Sequence, residues 1–290
     1  MKFFLLCITS VLIFSSSLYA MSEAEEEAYA NQMIKVWEGV TPQRGEIKLP
    51  NNVATLNVPE NFYYLNPQDT ENVLTQIWGN PPSGTQNLGM LFPSDKTALD
   101  SDAWGVTIDY QEEGYVSDED ALDIDYDDLL SDMKDSTESA SDARVKMGYE
   151  PIRLVGWASK PYYDEVSHKL HWAQEIEFGT QAEYTLNYNI RILGRKGVLV
   201  LNFIAGIDQL AEINSQIETV LHIAEFDVGS KYADFNPDID TVAAYGIGAL
   251  IAGKVAVKVG LIATLLLFLK KFWIILAVFG GAILKMFGRK

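Results

Sequence analysis

Residues 184–192 read YTLNYNIRI, and residues 198–205 read VLVLNFIA. In the first run Tyr184, Leu186, Tyr188, Ile190 and Ile192 alternate with Thr185, Asn187, Asn189 and Arg191. That two-residue period belongs to a strand with one face toward a core. The second run is apolar at nearly every position, as expected of a strand covered on both faces. Gly194-Arg195-Lys196-Gly197 lies between them with the composition of a turn, so the pair reads as a hairpin. Asn187, Asn189 and Arg191 run against strand preference. They mark a candidate ligand or partner face, the competing reading being a solvated sheet face, which is polar by default.

The same period extends upstream. Trp104, Val106, Ile108 and Tyr110 alternate with smaller or polar residues, and Leu170, Trp172, Ile176 and Phe178 share a face with Gln174. Residues 45–66 are strand-like, punctuated by Pro and Asn. Downstream, residues 209–226 predict a helix whose Leu210, Ile213, Ile217, Val220 and Leu221 form one stripe. Residues 22–39 predict another, with Ser22 as cap and Glu25 three positions on. Residues 66–79 predict a third, with Pro67 at its start and Gly79 past its end. Antiparallel strands with covering helices define an α+β domain.

The two ends of the chain have a different character. Residues 1–20 carry one early Lys2, an apolar run and a small-residue end, the layout of a secretory signal cleaved after Ala20. The only cysteine, Cys7, falls inside that signal. The exported product therefore folds without disulfides. Residues 21–240 form the acidic domain. Residues 241–290 contain seven basic residues and no Asp or Glu. They predict a membrane anchor with a crossing over about 247–269, ending at Lys270 and Lys271, and a second apolar segment at 272–284 that is re-entrant or interfacial. Lysine at mid-bilayer costs about 2.5–3.5 kcal/mol, which rules out a span centred on Lys270 and Lys271. A two-span hairpin is the alternative. Ala244, Gly248, Ala252, Ala256 and Gly260 recur at every fourth position and form a small-residue ridge suited to close helix contact, in a hairpin or a homo-oligomer. Basic residues at the tail's end place it on the cytoplasmic side of a bacterial inner membrane, with the domain outside.

Charge narrows the partners. Without Lys2 and the seven basic tail residues, 14 Lys and Arg face 40 Asp and Glu. Nucleic acid is excluded as a partner by that balance. The acidic belt from Asp118 to Asp128 fails the calcium-loop register: from Asp123 as first position, Asp128 stands where Gly is needed and Lys134 where Glu is needed. It reads instead as helix starts at Ser117 and Asp125. His168 and His171 point to opposite faces of a strand, poor geometry for one metal. No serine elbow or phosphate loop is present. No catalytic residue, cofactor or metal set follows from these motifs. The chain reads as a non-enzymatic binding or assembly module of the envelope. The alternatives are a hydrolase using Asp118 or Asp120 with His171, and a pore or scaffold of packed membrane helices with Lys254 and Lys258 on a water path.

Several long runs resemble one bacterial family: WGV at 104–106, GYVSDEDA at 114–121, IDYDDLL at 124–130, GWA at 156–158, TLNYNIR at 185–191, LGR at 193–195, NFIAG at 202–206 and YGIGALIAGK at 245–254. The chain is similar along nearly its whole mature length to the predicted membrane-anchored proteins termed domain of unknown function 2167. The resemblance implies a bacterial exported domain with a carboxy-terminal anchor and supplies no activity or catalytic residue.

Overall fold

In the computed structural model, which describes residues 22–49, 53–82, 84 and 87–252, the hairpin of residues 184–205 is central to a seven-stranded antiparallel sheet. The elements are α1 (Glu23–Glu38), β1 (Gly45–Lys48), β2 (Ala54–Val58), β3 (Phe62–Leu65), α2 (Pro67–Asn72), β4 (Gly89–Pro93), β5 (Gly105–Gln111), α3 (Tyr126–Lys146), β6 (Ile152–Asp164), β7 (Lys169–Phe178), β8 (Thr185–Leu193), β9 (Val198–Gly206), α4 (Leu210–Ile223), β10 (Ala224–Phe226) and α5 (Ile247–Ala252). The large sheet has the order β3-β4-β5-β9-β8-β7-β6, and a second sheet the order β1-β2-β10. The α+β class with antiparallel sheets and helices is the one the periodicity implies.

Strand alternation sorts the side chains into two layers. On one face Leu186, Tyr188, Ile190 and Ile192 of β8 join Val106, Ile108, Leu201 and Phe203 beneath α4 and the small sheet. The opposite face is covered at its two sides. At β3 and β4, α1 and the wide turn after α2 pack Met33, Val73 and Ile77 onto Tyr63, Met90 and Phe92. At the β7 and β6 side, Met133 of α3 and Ile247, Leu250 and Ile251 of α5 cluster with Leu154, Leu170 and Trp172.

Local signals set the helix ends. Ser22 and Glu25 form the expected reciprocal cap on α1, and Asn66 caps α2 with Pro67 at its first position. Asp125 accepts from the backbone N–H groups of Asp127 and Asp128 and starts α3. Two expectations change. Residues 117–124 form turns rather than a capped helix. The stripe read over 209–226 ends as a helix at Ile223, because Ala224 and Phe226 cross to pair with Leu56 and Ala54 of β2. Phe226 fits there because Gly194 has no side chain: a Cβ on Gly194 would lie 2.5 Å from the ring.

Among the described residues no helix is long and apolar enough to cross a membrane. The signal at 1–20, the second apolar segment at 272–284 and most of the expected crossing lie outside the described residues, as do Ala256, Gly260, Lys254 and Lys258. The first part of the tail lies within them and packs on the domain. Ala244 is exposed ahead of α5, Gly248 faces Ile124, and Ala252 lines a small cavity with Met133, Thr137 and Ala140 of α3.

Candidate functional site

Between the two helical covers, the middle strands of the large sheet present a polar strip. Backbone register builds it. Thr107, Asn202, Asn189 and Trp172 stand in one row across β5, β9, β8 and β7. Asp109, Val200, Arg191 and Leu170 form the next row, and Ile204, Asn187 and Gln174 the row on the other side. The three residues singled out from the sequence, Asn187, Asn189 and Arg191, thus share one face and are joined by Asn202, Gln174 and Trp172. Asn202 was missed in the sequence reading, although it is the one polar residue in VLVLNFIA.

The guanidinium of Arg191 lies over the Trp172 ring, 4.7 Å from its centroid. It donates to the Ile190 carbonyl at 3.2 Å and to Asn189 Oδ1 at 3.4 Å. None of these neighbours is a carboxylate. Loss of hydration pushes its pKa down to about 10, against the opposing pull of Asp109. Asn189, 7% exposed, donates to the Asn187 carbonyl at 3.2 Å and to Gln174 Oε1 at 3.5 Å. Three polar atoms of the strip are buried without a hydrogen-bond partner: Asn187 Oδ1, Asn202 Oδ1 and Trp172 Nε1. Such atoms are few in native proteins, and each costs about 1–3 kcal/mol. The strip offers acceptors, an indole donor and a cation. Among the residues of the strip no nucleophile stands with a base beside it.

The carboxylate and histidine combination weighed for hydrolysis is not assembled. Asp118 Oδ2 accepts from the Tyr163 hydroxyl at 2.7 Å and lies 3.3 Å from His168 Nδ1, while Oδ1 accepts from Tyr232 at 3.0 Å. Burial pushes this carboxyl up, but the hydrogen bonds from Tyr163 and Tyr232 outweigh it and hold it below its ordinary value. Asp120 Oδ1 accepts from the Ile247 N–H at 3.0 Å. Both carboxylates therefore tie the segment after β10 to the domain. His171 faces the other side of the sheet, stacked on Tyr162 with ring centroids 4.7 Å apart. His168 sits in the β6–β7 turn with φ of 52°. Strand parity separates His171 from Asp118, and the turn delivers His168 instead.

Among the described residues no three His, Cys, Asp or Glu are grouped to hold a metal ion. An open cleft of about 620 Å³ between α3 and the β6–β7 edge is lined by both signs of charge, Lys134, Arg153, Asp135, Glu138, Asp142 and Glu177. Arg153 and Glu177, neighbours across the β6–β7 ladder, pair with each other at 2.5 Å.

No curated protein matches the chain. Among solved structures it is similar to cyanobacterial PsbP (CyanoP) from Synechocystis sp. PCC 6803, at 9% identity and a TM-score of 0.34, over 65% of this chain and 92% of that one. So slight a likeness bears on neither function nor partner. The sequence profile described as a protein of unknown function, DUF2167, matches residues 41–281. The chain belongs to the DUF2167 family of proteins of unknown function.

Proposed function

We propose that this chain is a membrane-anchored, exported binding or assembly module of the bacterial envelope, and that the polar strip of β5, β9, β8 and β7 is its recognition face. One observation carries the reading: Asn187 Oδ1, Asn202 Oδ1 and Trp172 Nε1 are buried without partners on one face, beside a cation with no ion pair to a carboxylate. A sheet face kept only for stability would bury apolar groups there, because unmet polar groups cost free energy that Leu or Val would recover. The signal-like residues 1–20, the acidic domain and the carboxylate-free tail support an inner-membrane location with the domain outside.

The test uses a photoreactive amino acid placed at Ile204, which lies in the strip opposite Asn187, in the full chain in membranes. Glu225, exposed on the small sheet, is the control position. Irradiation at 204 is expected to give a discrete adduct that is absent at 225 and lost when Arg191→Met is added. An adduct of twice the chain mass identifies a second copy as the partner. Equal or absent adducts at the two positions overturn the reading.

A further inference from the structure

Size, charge and a mixture of unmet donors and acceptors together limit what the polar strip can hold. From β5 to β7 it crosses three strand spacings, and its three rows stand two residues apart along each strand. At about 4.8 Å between strands and about 3.4 Å per residue, that is about 14 Å in each direction. Helices close both margins. Within the strip Thr107, Asn189 and Trp172 are buried, whereas Asn187, Arg191 and Asn202 keep partial exposure. The unmet atoms are of both kinds, Asn187 Oδ1 and Asn202 Oδ1 as acceptors and Trp172 Nε1 as a donor.

We infer that the strip takes a neutral, hydroxyl-rich ligand, a short stretch of glycan, held by Asn187, Asn202, Trp172 and Arg191. This inference rests on the reading of the strip as a recognition face and names the chemical class that the face recognises. A cationic ligand is opposed by Arg191, whose bonded neighbours are the Trp172 ring, the Ile190 carbonyl and Asn189 Oδ1. An anionic ligand brings acceptors to two Asn oxygens that themselves lack donors, and Asp109 stands in the Arg191 row. An apolar ligand leaves all three atoms unmet. A hydroxyl both donates and accepts, so one kind of group serves the Asn oxygens, the indole N–H and the guanidinium. Peptide groups also carry both functions, but an extended peptide is bound by adding to a sheet edge, and this strip lies on the face of the middle strands. Trp172 contributes its N–H rather than a stacking surface, because Arg191 lies over its ring at 4.7 Å. The width and the closed margins suit an oligosaccharide and exclude a broad folded surface.

The experiment follows maleimide labelling of Ile204→Cys in the full chain, with Cys7→Ser, in lipid nanodiscs. Glu225→Cys on the small sheet is the control position. Millimolar tri-N-acetylchitotriose or maltotriose is expected to slow labelling at 204 at least fivefold and to leave 225 unchanged. Asn187→Leu with Asn202→Leu is expected to abolish that protection while the denaturation midpoint holds or rises, which separates lost binding from lost folding. Equal protection by N-acetylglucosamine alone keeps the class and confines the site to a single ring. Labelling at 204 unmoved by both trisaccharides overturns the proposal. So does equal or stronger protection by acetyl-trialanine amide, which assigns the strip to peptide groups, or by trigalacturonate, which assigns it to an anion. A protein adduct captured from position 204 with no protection by sugar leaves the recognition face standing and removes this inference alone.

Discussion

His171 stands in an environment that predicts a pH response. It is 4% exposed, its Nδ1 has no partner, and burial pushes its pKa down to about 4. Above pH 6.5 it is neutral in both folded and unfolded chains and contributes no slope. As pH falls from about 6.5 to about 4 the unfolded chain takes up a proton that the folded one refuses. Stability then falls with pH, by roughly 3 kcal/mol at most over the window. His171→Phe is expected to flatten that part of a stability-against-pH curve measured by urea unfolding; an unchanged slope contradicts the assignment. Asp118 acts in a lower window with the same sign, since its depressed pKa stabilises the fold at neutral pH and that stabilisation is lost as pH drops through the carboxylate range. Tyr163→Phe removes one of the hydrogen bonds that depress it, and its unfolding curve is expected to lose part of the acid-limb slope while keeping that of His171.

At the scale of elements, the segment after β10 is fastened by contacts that composition does not reveal. Tyr115 and Val242 form a parallel bridge, Arg195 holds Asp240 at 2.7 Å, and Asp120 receives the Ile247 N–H. Gly114 makes the bridge possible, with φ of 93° and a site where a Cβ would lie 2.6 Å from the Thr241 carbonyl. Gly114→Ala is expected to cost about 2 kcal/mol or more. In hydrogen exchange it should free the α5 amides while those of β8 and β9 stay protected, and uniform loss of protection would show that α5 is not a separable unit. Strands with one buried face were legible, because that burial forces a two-residue period: Tyr184 to Ile192 and Trp104 to Tyr110 follow it, whereas β4, buried at every position, shows no such period and was not read. The helix starts were legible from Ser22, Pro67 and Asp125, whose capping is local chemistry. The end of α4 was not, because Ala224 and Phe226 obey β2, a strand far away in sequence. The fate of residues 241–252 was hidden for the same reason: Ile247, Leu250 and Ile251 have the composition of a membrane segment, and only the tertiary fold supplies α3 and the sheet as an alternative cover.

For the molecule as a whole, one side of the large sheet is closed by α4 and the small sheet, and the other is closed at both margins but polar in the middle. The sequence exposed part of that strip, since Asn187, Asn189 and Arg191 interrupt a strand, but the contribution of Thr107, Gln174 and Trp172 depends on register between strands. The central claim is that the strip carries polar groups retained for recognition at the expense of stability. Asn202→Leu tests this most directly, through the denaturation midpoint of the purified full chain. Leu is close to Asn in size and removes an acceptor that has no partner. The account predicts a higher midpoint, by about 1 kcal/mol or more in unfolding free energy. A lower midpoint would show that the Asn202 amide is satisfied within the fold and would contradict it.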